Sequence, residues 1–177
     1  IKLGEKPNRE KRLALMLHNA VCSGVEATIG KAYGLDALES VVQILRCLEA
    51  EGYLVEGIPA DGKALLALIQ EKKAYSDFRW TAVEDIVESG GCLYRMPDTE
   101  YAAFYRELPK ELQKQLEETW GPYPGEGMVL GRDLIVTGLR FGNILVMVQP
   151  KRGCYGAKCT GEVCKILHDP LCPPTHQ

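Results

Sequence analysis

Two unbroken apolar runs, Leu13-Ala14-Leu15-Met16-Leu17 and Ile144-Leu145-Val146-Met147-Val148, constrain what this chain can fold into more than any other feature. The first, a short continuous run bounded by turn residues, fits a buried strand of a parallel sheet. Both runs fall far short of the ~20 apolar residues that a membrane-spanning helix needs. His18 and Asn19 sit at the carboxyl end of the first run, and a loop with Gly24, Gly30 and Gly34 follows. Asp36 and Glu39 then form a capping box. Leu38, Val41, Val42, Leu45 and Leu48 recur at helical spacing until Gly52, where the helix stops. Tyr53-Leu54-Val55 reads as a second strand, which completes a strand–helix–strand unit.

Ala60 to Lys73 is a further amphipathic stretch. Residues 74 to 92 keep no single period, apart from a short helix around Thr81 to Val87 that ends at Gly90-Gly91. Pro97-Asp98 opens a helix with Tyr101, Phe104, Tyr105 and Leu108 on one face. Pro109 starts the next, with Leu112, Leu116 and Trp120 four apart, since proline in a first helical turn loses no hydrogen bond. Gly121-Pro-Tyr-Pro-Gly125 is an irregular loop. Leu134 to Thr137 and Ile144 to Val148 are expected to be a strand pair around a Gly138/Gly142 turn. Interleaved strands and helices predict an α/β fold. Its expected form is a layered, open, mostly parallel sheet flanked by helices, with a C-terminal strand pair and an irregular Cys/His-containing tail.

At 177 residues the chain has room for one well-filled domain, so residues 1–177 are read as a single α/β domain. A net charge of -3 and the absence of a basic stripe interleaved with aromatics argue against nucleic acid. The charged opening IKLGEKPNREKR has no apolar core and is no signal peptide. Seven cysteines, an odd number, on a lysine- and glutamate-rich background are read as reduced thiols of a cytoplasmic protein. The first residue is Ile1 and the last residues are His176-Gln177, so the chain is expected to be an excised interior piece of something larger.

Four of the seven cysteines and two of the three histidines fall in the last 28 residues, PKRGCYGAKCTGEVCKILHDPLCPPTHQ. Cys154, Cys159 and Cys164 are spaced C-x4-C-x4-C, which is neither a zinc-ribbon pair nor a ferredoxin run. They read first as loop thiols, some packed as small hydrophobes. A metal or iron–sulfur site, with Cys172 or His168 as fourth ligand, is the alternative. His168 beside Asp169, and His176 after Pro173-Pro174-Thr175, are candidate bases or metal contacts. Lys151-Arg152-Gly153 is a cationic turn suited to an acidic ligand. Gly24-Val-Glu-Ala-Thr-Ile-Gly30-Lys31-Ala32 mimics a phosphate-binding loop but has one residue too many between the glycines. Ala32 also stands where a Mg²⁺-binding hydroxyl is required, so a nucleotide triphosphatase site is rejected. The carboxyl end of a first strand is nonetheless where open sheets place ligands, which keeps Glu26, His18 and Asn19 as candidates.

Five strings in this order, KPNREKRLAL, GLDALESVVQILRCLEAEGY, WGPYPGEG, GLRFGNILVMVQPKRG and ILHDPLCPPTH, resemble the large subunits of cobaltochelatase and magnesium chelatase. They span nearly the whole chain from residue 6 onward. The GLDALES string resembles the cobalt branch more than the magnesium branch, which reads closer to Tyr-Leu-Asp-Val-Phe there. The resemblance implies a subunit that binds a tetrapyrrole and hosts insertion of a divalent metal, cobalt ahead of magnesium. It also implies that ATP is hydrolysed by separate AAA+ partner subunits and not bound here, in keeping with the failed phosphate loop. The positions it carries over are Gln149, Lys151, Arg152 and Gly153 of the QPKRG turn, and His168, Asp169 and His176 of the tail. The cysteine group departs from the family pattern. The family ordinarily continues past PPTH into an aromatic helix, so the isolated piece is expected to be inactive.

The proposed chemistry suits these side chains. Metal insertion strips waters from a cation and removes two pyrrolic protons, and an imidazole can both hold a metal and take a proton near neutrality. Asp169 or Glu26 would orient it, Arg152 would clamp a ring carboxylate, and Lys151, Gln149 and Asn19 would complete the binding surface.

Overall fold

The computed structural model describes residues 2–19, 28–76, 81–125, 127–150, 173 and 176. The first apolar run is strand β1 (Leu13–Leu17). A two-residue ribbon, β2 (Lys31–Ala32) against β3 (Leu35–Asp36), leads into helix α1 (Ala37–Ala50). Asp36 caps α1 by accepting the Glu39 N–H at 3.0 Å. The Glu39 carboxylate does not turn back to Asp36. It accepts instead from Gly62 N–H at 2.7 Å, so half of the expected capping box ties α1 to the next helix. At the other end, the Tyr53 N–H reaches the Leu48 carbonyl and the Gly52 N–H reaches that of Glu49, the bonds of a glycine-terminated helix.

Helix α2 (Gly62–Glu71) is capped by the Asp61 carboxylate, and helix α3 (Val83–Glu88) ends at Gly90-Gly91 as expected. Strand β4 (Cys92–Met96) follows, then helices α4 (Asp98–Glu107) and α5 (Lys110–Trp120), each opened by its proline. The chain closes through β5 (Val129–Leu130), β6 (Asp133–Thr137), β7 (Leu139–Phe141) and β8 (Ile144–Val148).

The α/β class with open sheets holds, but parallel pairing is confined to β1–β8 among the described residues. One three-stranded sheet runs β1-β8-β7 and the other β4-β6-β5, beside the β2-β3 ribbon, and every other pair among the described residues is antiparallel. The two apolar runs therefore pair with each other, Leu13 opposite Ile144 through Leu17 opposite Val148. Tyr53-Leu54-Val55 is not a strand. Its Leu54 carbonyl receives the Asn143 N–H at 2.8 Å, bracing the β7–β8 turn from outside the sheet. That turn needs Gly142: its φ is +63°, and a Cβ there would lie 2.5 Å from the Leu54 oxygen. The expected pairing of 134–137 with 144–148 does not form either. Gly138 passes the chain from β6 in one sheet to β7 in the other.

The main core lies between the β1-β8-β7 sheet and helices α1 and α2, with Val42, Leu45, Leu65, Ile69 and Ile144 sealed inside. Strand β8 is central and buried on alternate residues, whereas β1 is an edge strand that leaves Ala14 and Met16 exposed. A second cluster joins α4 and α5 to β6 through Tyr101, Tyr105, Leu116, Trp120 and Leu134. Phe104, expected on that buried face, points out and is 58% exposed. No helix among the described residues is long and apolar enough to cross a membrane.

Candidate functional site

Parallel pairing puts the carboxyl ends of β1 and β8 side by side, and the residues that leave those ends meet there. Gln149 donates its N–H to the Leu17 carbonyl at 2.9 Å, which carries the ladder one residue past β8. Its side-chain Oε1 then lies 3.2 Å from His18 Nδ1. The neighbouring Asn19 is buried, and its Oδ1 accepts the Thr28 hydroxyl at 2.6 Å. Asn19 also bridges to Ile29, while the His18 carbonyl accepts from Gly30 at 2.9 Å. Both ends of the loop between 19 and 28 are thus fixed at the sheet edge. His18 itself is exposed. Two predicted binding residues, Asn19 and Gln149, are brought to one edge with His18 between them. Thr28 was not singled out from the sequence, where nothing marked it as a partner.

His176 belongs elsewhere, against the second cluster. Its Nδ1 lies 2.7 Å from the Tyr101 hydroxyl and its Nε2 lies 2.9 Å from the Gly121 carbonyl. A carbonyl only accepts, so Nε2 carries the proton and Nδ1 receives the Tyr101 O–H. Burial pushes the Tyr101 phenol up to about 12, so it keeps the proton it donates. The imidazole meets Tyr101 edge-on, with ring centres 5.9 Å apart, and leans against Tyr105 at 5.9 Å. Trp120 Nε1 donates to the Pro173 carbonyl at 3.1 Å. The ring also lies over Gly125, where a Cβ would sit 2.7 Å from His176 Cδ2. The WGPYPGEG string and the end of the PPTH string are therefore one packed unit, although they are far apart in sequence.

Beside this unit is a cavity of about 330 Å³, lined by Met96, Tyr101, Phe104, Leu134 and Val136, with Glu100 and His176 as its polar members. Two ion pairs link the segments around β4, β6 and α4: Arg95 to Asp133 at 2.6 Å, and Arg132 to Asp98 at 2.5 Å. The Arg132 hydrogen bond holds the Asp98 carboxyl below its usual range. Cys92, one of two free cysteines among the described residues, has its thiol raised by burial and is poorly suited to act as a thiolate.

The other sequence-predicted residues, Glu26, Lys151, Arg152, Cys154, Cys159, Cys164, His168 and Asp169, lie outside the described residues. Among the described residues, no group of three or more His, Cys, Asp or Glu is placed to hold a metal ion.

Comparison with known proteins gives this geometry a context. An uncharacterised protein of Methanocaldococcus jannaschii is 48% identical over 185 residues, covering all of this chain and 15% of the relative. The aerobic cobaltochelatase subunit CobN of Pseudomonas aeruginosa is 31% identical over 179 residues, 99% of this chain and 13% of that protein. The solved catalytic subunit of cobaltochelatase from Mycobacterium tuberculosis superposes with a TM-score of 0.73 at 30% identity, covering 99% of this chain and 13% of that one. The chain thus spans between 13% and 15% of the length of these relatives. The family described as CobN/Magnesium Chelatase matches residues 1–177, every position from the β1 edge to the His176 anchor, and the chain belongs to it.

Proposed function

We propose that this chain is a segment, folded as a single α/β domain, of the tetrapyrrole-binding large subunit of an ATP-dependent metal chelatase. The subunit inserts a divalent metal into a carboxylate-bearing tetrapyrrole, cobalt in a corrin ring on the route to cobalamin, with magnesium in protoporphyrin as the second assignment. The observation that carries this reading is the meeting of Gln149, the first residue of the QPKRG turn, with His18 and Asn19 at the carboxyl edge of the parallel pair. Open sheets bind ligands at such edges. Lys151 and Arg152 follow Gln149 directly in the QPKRG string, and their role is to clamp ring carboxylates, Arg152 in two-pronged fashion.

In this reading His168, oriented by Asp169, takes pyrrolic protons and passes the metal, and Glu26 neutralises the incoming cation. Cys154, Cys159, Cys164 and His176 are the further metal contacts assigned, with an iron–sulfur cluster as the alternative use of the thiols. ATP is hydrolysed on AAA+ partner subunits, the location is cytoplasmic, and the segment alone is inactive. Cobalt is preferred because the GLDALES string resembles that branch.

For His176 the hydrogen bonds favour a second role, that of an anchor. Both ring nitrogens are already held by protein groups, and ligating a metal would break one of those bonds. The test uses the full-length subunit with its ATPase partners. Equilibrium binding of a corrinoid precursor against protoporphyrin separates the two rings. His168→Ala and Arg152→Ala are each expected to lower chelation about tenfold or more, the first by loss of a base and the second by loss of a carboxylate clamp. Wild-type rates in both variants would remove the assignment.

A further inference from the structure

The two described histidines differ in how their ring nitrogens are used, and the difference points to an additional catalytic group. His176 is spent on both sides. His18 is not: among the described residues only Nδ1 has a partner, the side-chain oxygen of Gln149 at 3.2 Å. An amide oxygen accepts and never donates, so the neutral ring must carry its proton on Nδ1. Nε2 then keeps a bare lone pair, and no hydrogen bond occupies it among the described residues. This is the arrangement in which a neighbouring acceptor fixes the tautomer and leaves the opposite nitrogen ready for a proton or a metal.

The backbone around His18 is equally fixed. Its carbonyl accepts from Gly30 at 2.9 Å, Leu17 before it is tied to Gln149, and Asn19 after it is buried and bonded to Thr28. An exposed imidazole on a pinned backbone, at the carboxyl edge of the β1–β8 pair, is placed to meet a ligand seated there.

We infer that His18 is a proton acceptor in metal insertion, with Gln149 as the positioning residue that holds it in the Nδ1–H form. The inference rests on the chelatase reading above and adds to it a residue not assigned there. In the step, one pyrrolic N–H bond breaks. Its proton goes to His18 Nε2, and its electron pair stays on the ring nitrogen and forms the bond to the divalent metal. The second pyrrolic proton leaves to another base or to water as the metal sheds its waters. Two protons are released for each cation inserted, and nothing is oxidised or reduced.

The test has one arm that needs no turnover. Full-length subunit is treated briefly with diethyl pyrocarbonate, which attacks an unprotonated, accessible ring nitrogen, and the modified histidines are mapped by mass spectrometry. His18 is expected to react several-fold faster than His176, and protoporphyrin or a corrinoid precursor is expected to slow it. A His18 that is unreactive, or that reacts equally with and without tetrapyrrole, overturns the inference.

The second arm measures steady-state chelation with the ATPase partners present. His18→Ala is expected to lose about 10²-fold in kcat with little change in KM for the tetrapyrrole, and added imidazole should restore part of the rate. Gln149→Ala should lose less and should not respond to imidazole. An active wild type alongside a His18→Ala variant of undiminished kcat overturns the role of His18 alone. A wild type that inserts neither cobalt nor magnesium overturns the chelatase reading and this inference with it.

Discussion

Tyr101 and Tyr105 are the residues whose surroundings most change their chemistry. Burial raises both phenols to about 12, with the Glu117 hydrogen bond adding to the effect at Tyr105. An acid whose folded pKa lies above its unfolded value releases its proton first in the unfolded chain. The stability it supports is therefore complete below about pH 10 and is lost as pH rises from there toward 12. A spectrophotometric titration of the eight tyrosines should show Tyr101 and Tyr105 among those that ionise late, in step with alkaline unfolding. Early ionisation of all eight would mean that the α4–α5 cluster is open to water. Tyr101→Phe keeps the ring and removes the donor to His176. It should cost about 1–2 kcal/mol in urea unfolding, because a part-buried ring nitrogen loses its partner. Phe104→Ala, at an exposed position, should change stability by less than about 0.5 kcal/mol apart from any lost packing at the cavity.

At the scale of elements, the sequence specified the helices better than the strands. Helix starts are local events, in which Asp36, Asp61, Pro97 and Pro109 each act on residues within one turn. Strand β4 was missed because Cys92 to Met96 has no alternating pattern to read, and only its pairing with β6 makes it a strand. Tyr53-Leu54-Val55 reads as a strand for the converse reason: its residues have strand propensity, but its Leu54 carbonyl takes the Asn143 N–H of the β7–β8 turn and joins no strand ladder. The contact between α1 and α2 is a further long-range feature. A Cβ on Gly62 would sit 2.6 Å from the Glu39 backbone nitrogen, so the helices meet where only hydrogen fits. Gly62→Ala should destabilise by about 1–3 kcal/mol, the usual cost of overpacking, against about 1 kcal/mol for loss of the cap in Asp61→Ala. Equal costs in chemical denaturation would show that the helices part freely.

For the whole molecule, the parallel β1–β8 pair is the feature that joins the beginning of the chain to its end. Ile144 is fully buried in the main core, and Ile144→Ala should cost about 2–5 kcal/mol in equilibrium unfolding. Because Gln149 directly follows β8, the proposed chelatase reading expects the same change to weaken tetrapyrrole binding by the full-length subunit, and Leu116→Ala in the other cluster to leave it unchanged. The amino-acid sequence alone determined the apolar runs, the helix caps, the failed phosphate loop and the family strings, since each depends on residue types at fixed short spacing. Only the tertiary structure decided that the two runs pair, that Gln149 meets His18 across 131 positions, and that Gly121 and Gly125 receive His176. Spacing along a chain fixes which hydrogen bonds are within local reach. A partner more than a hundred residues away is chosen by the packing of the sheets, which no short pattern records.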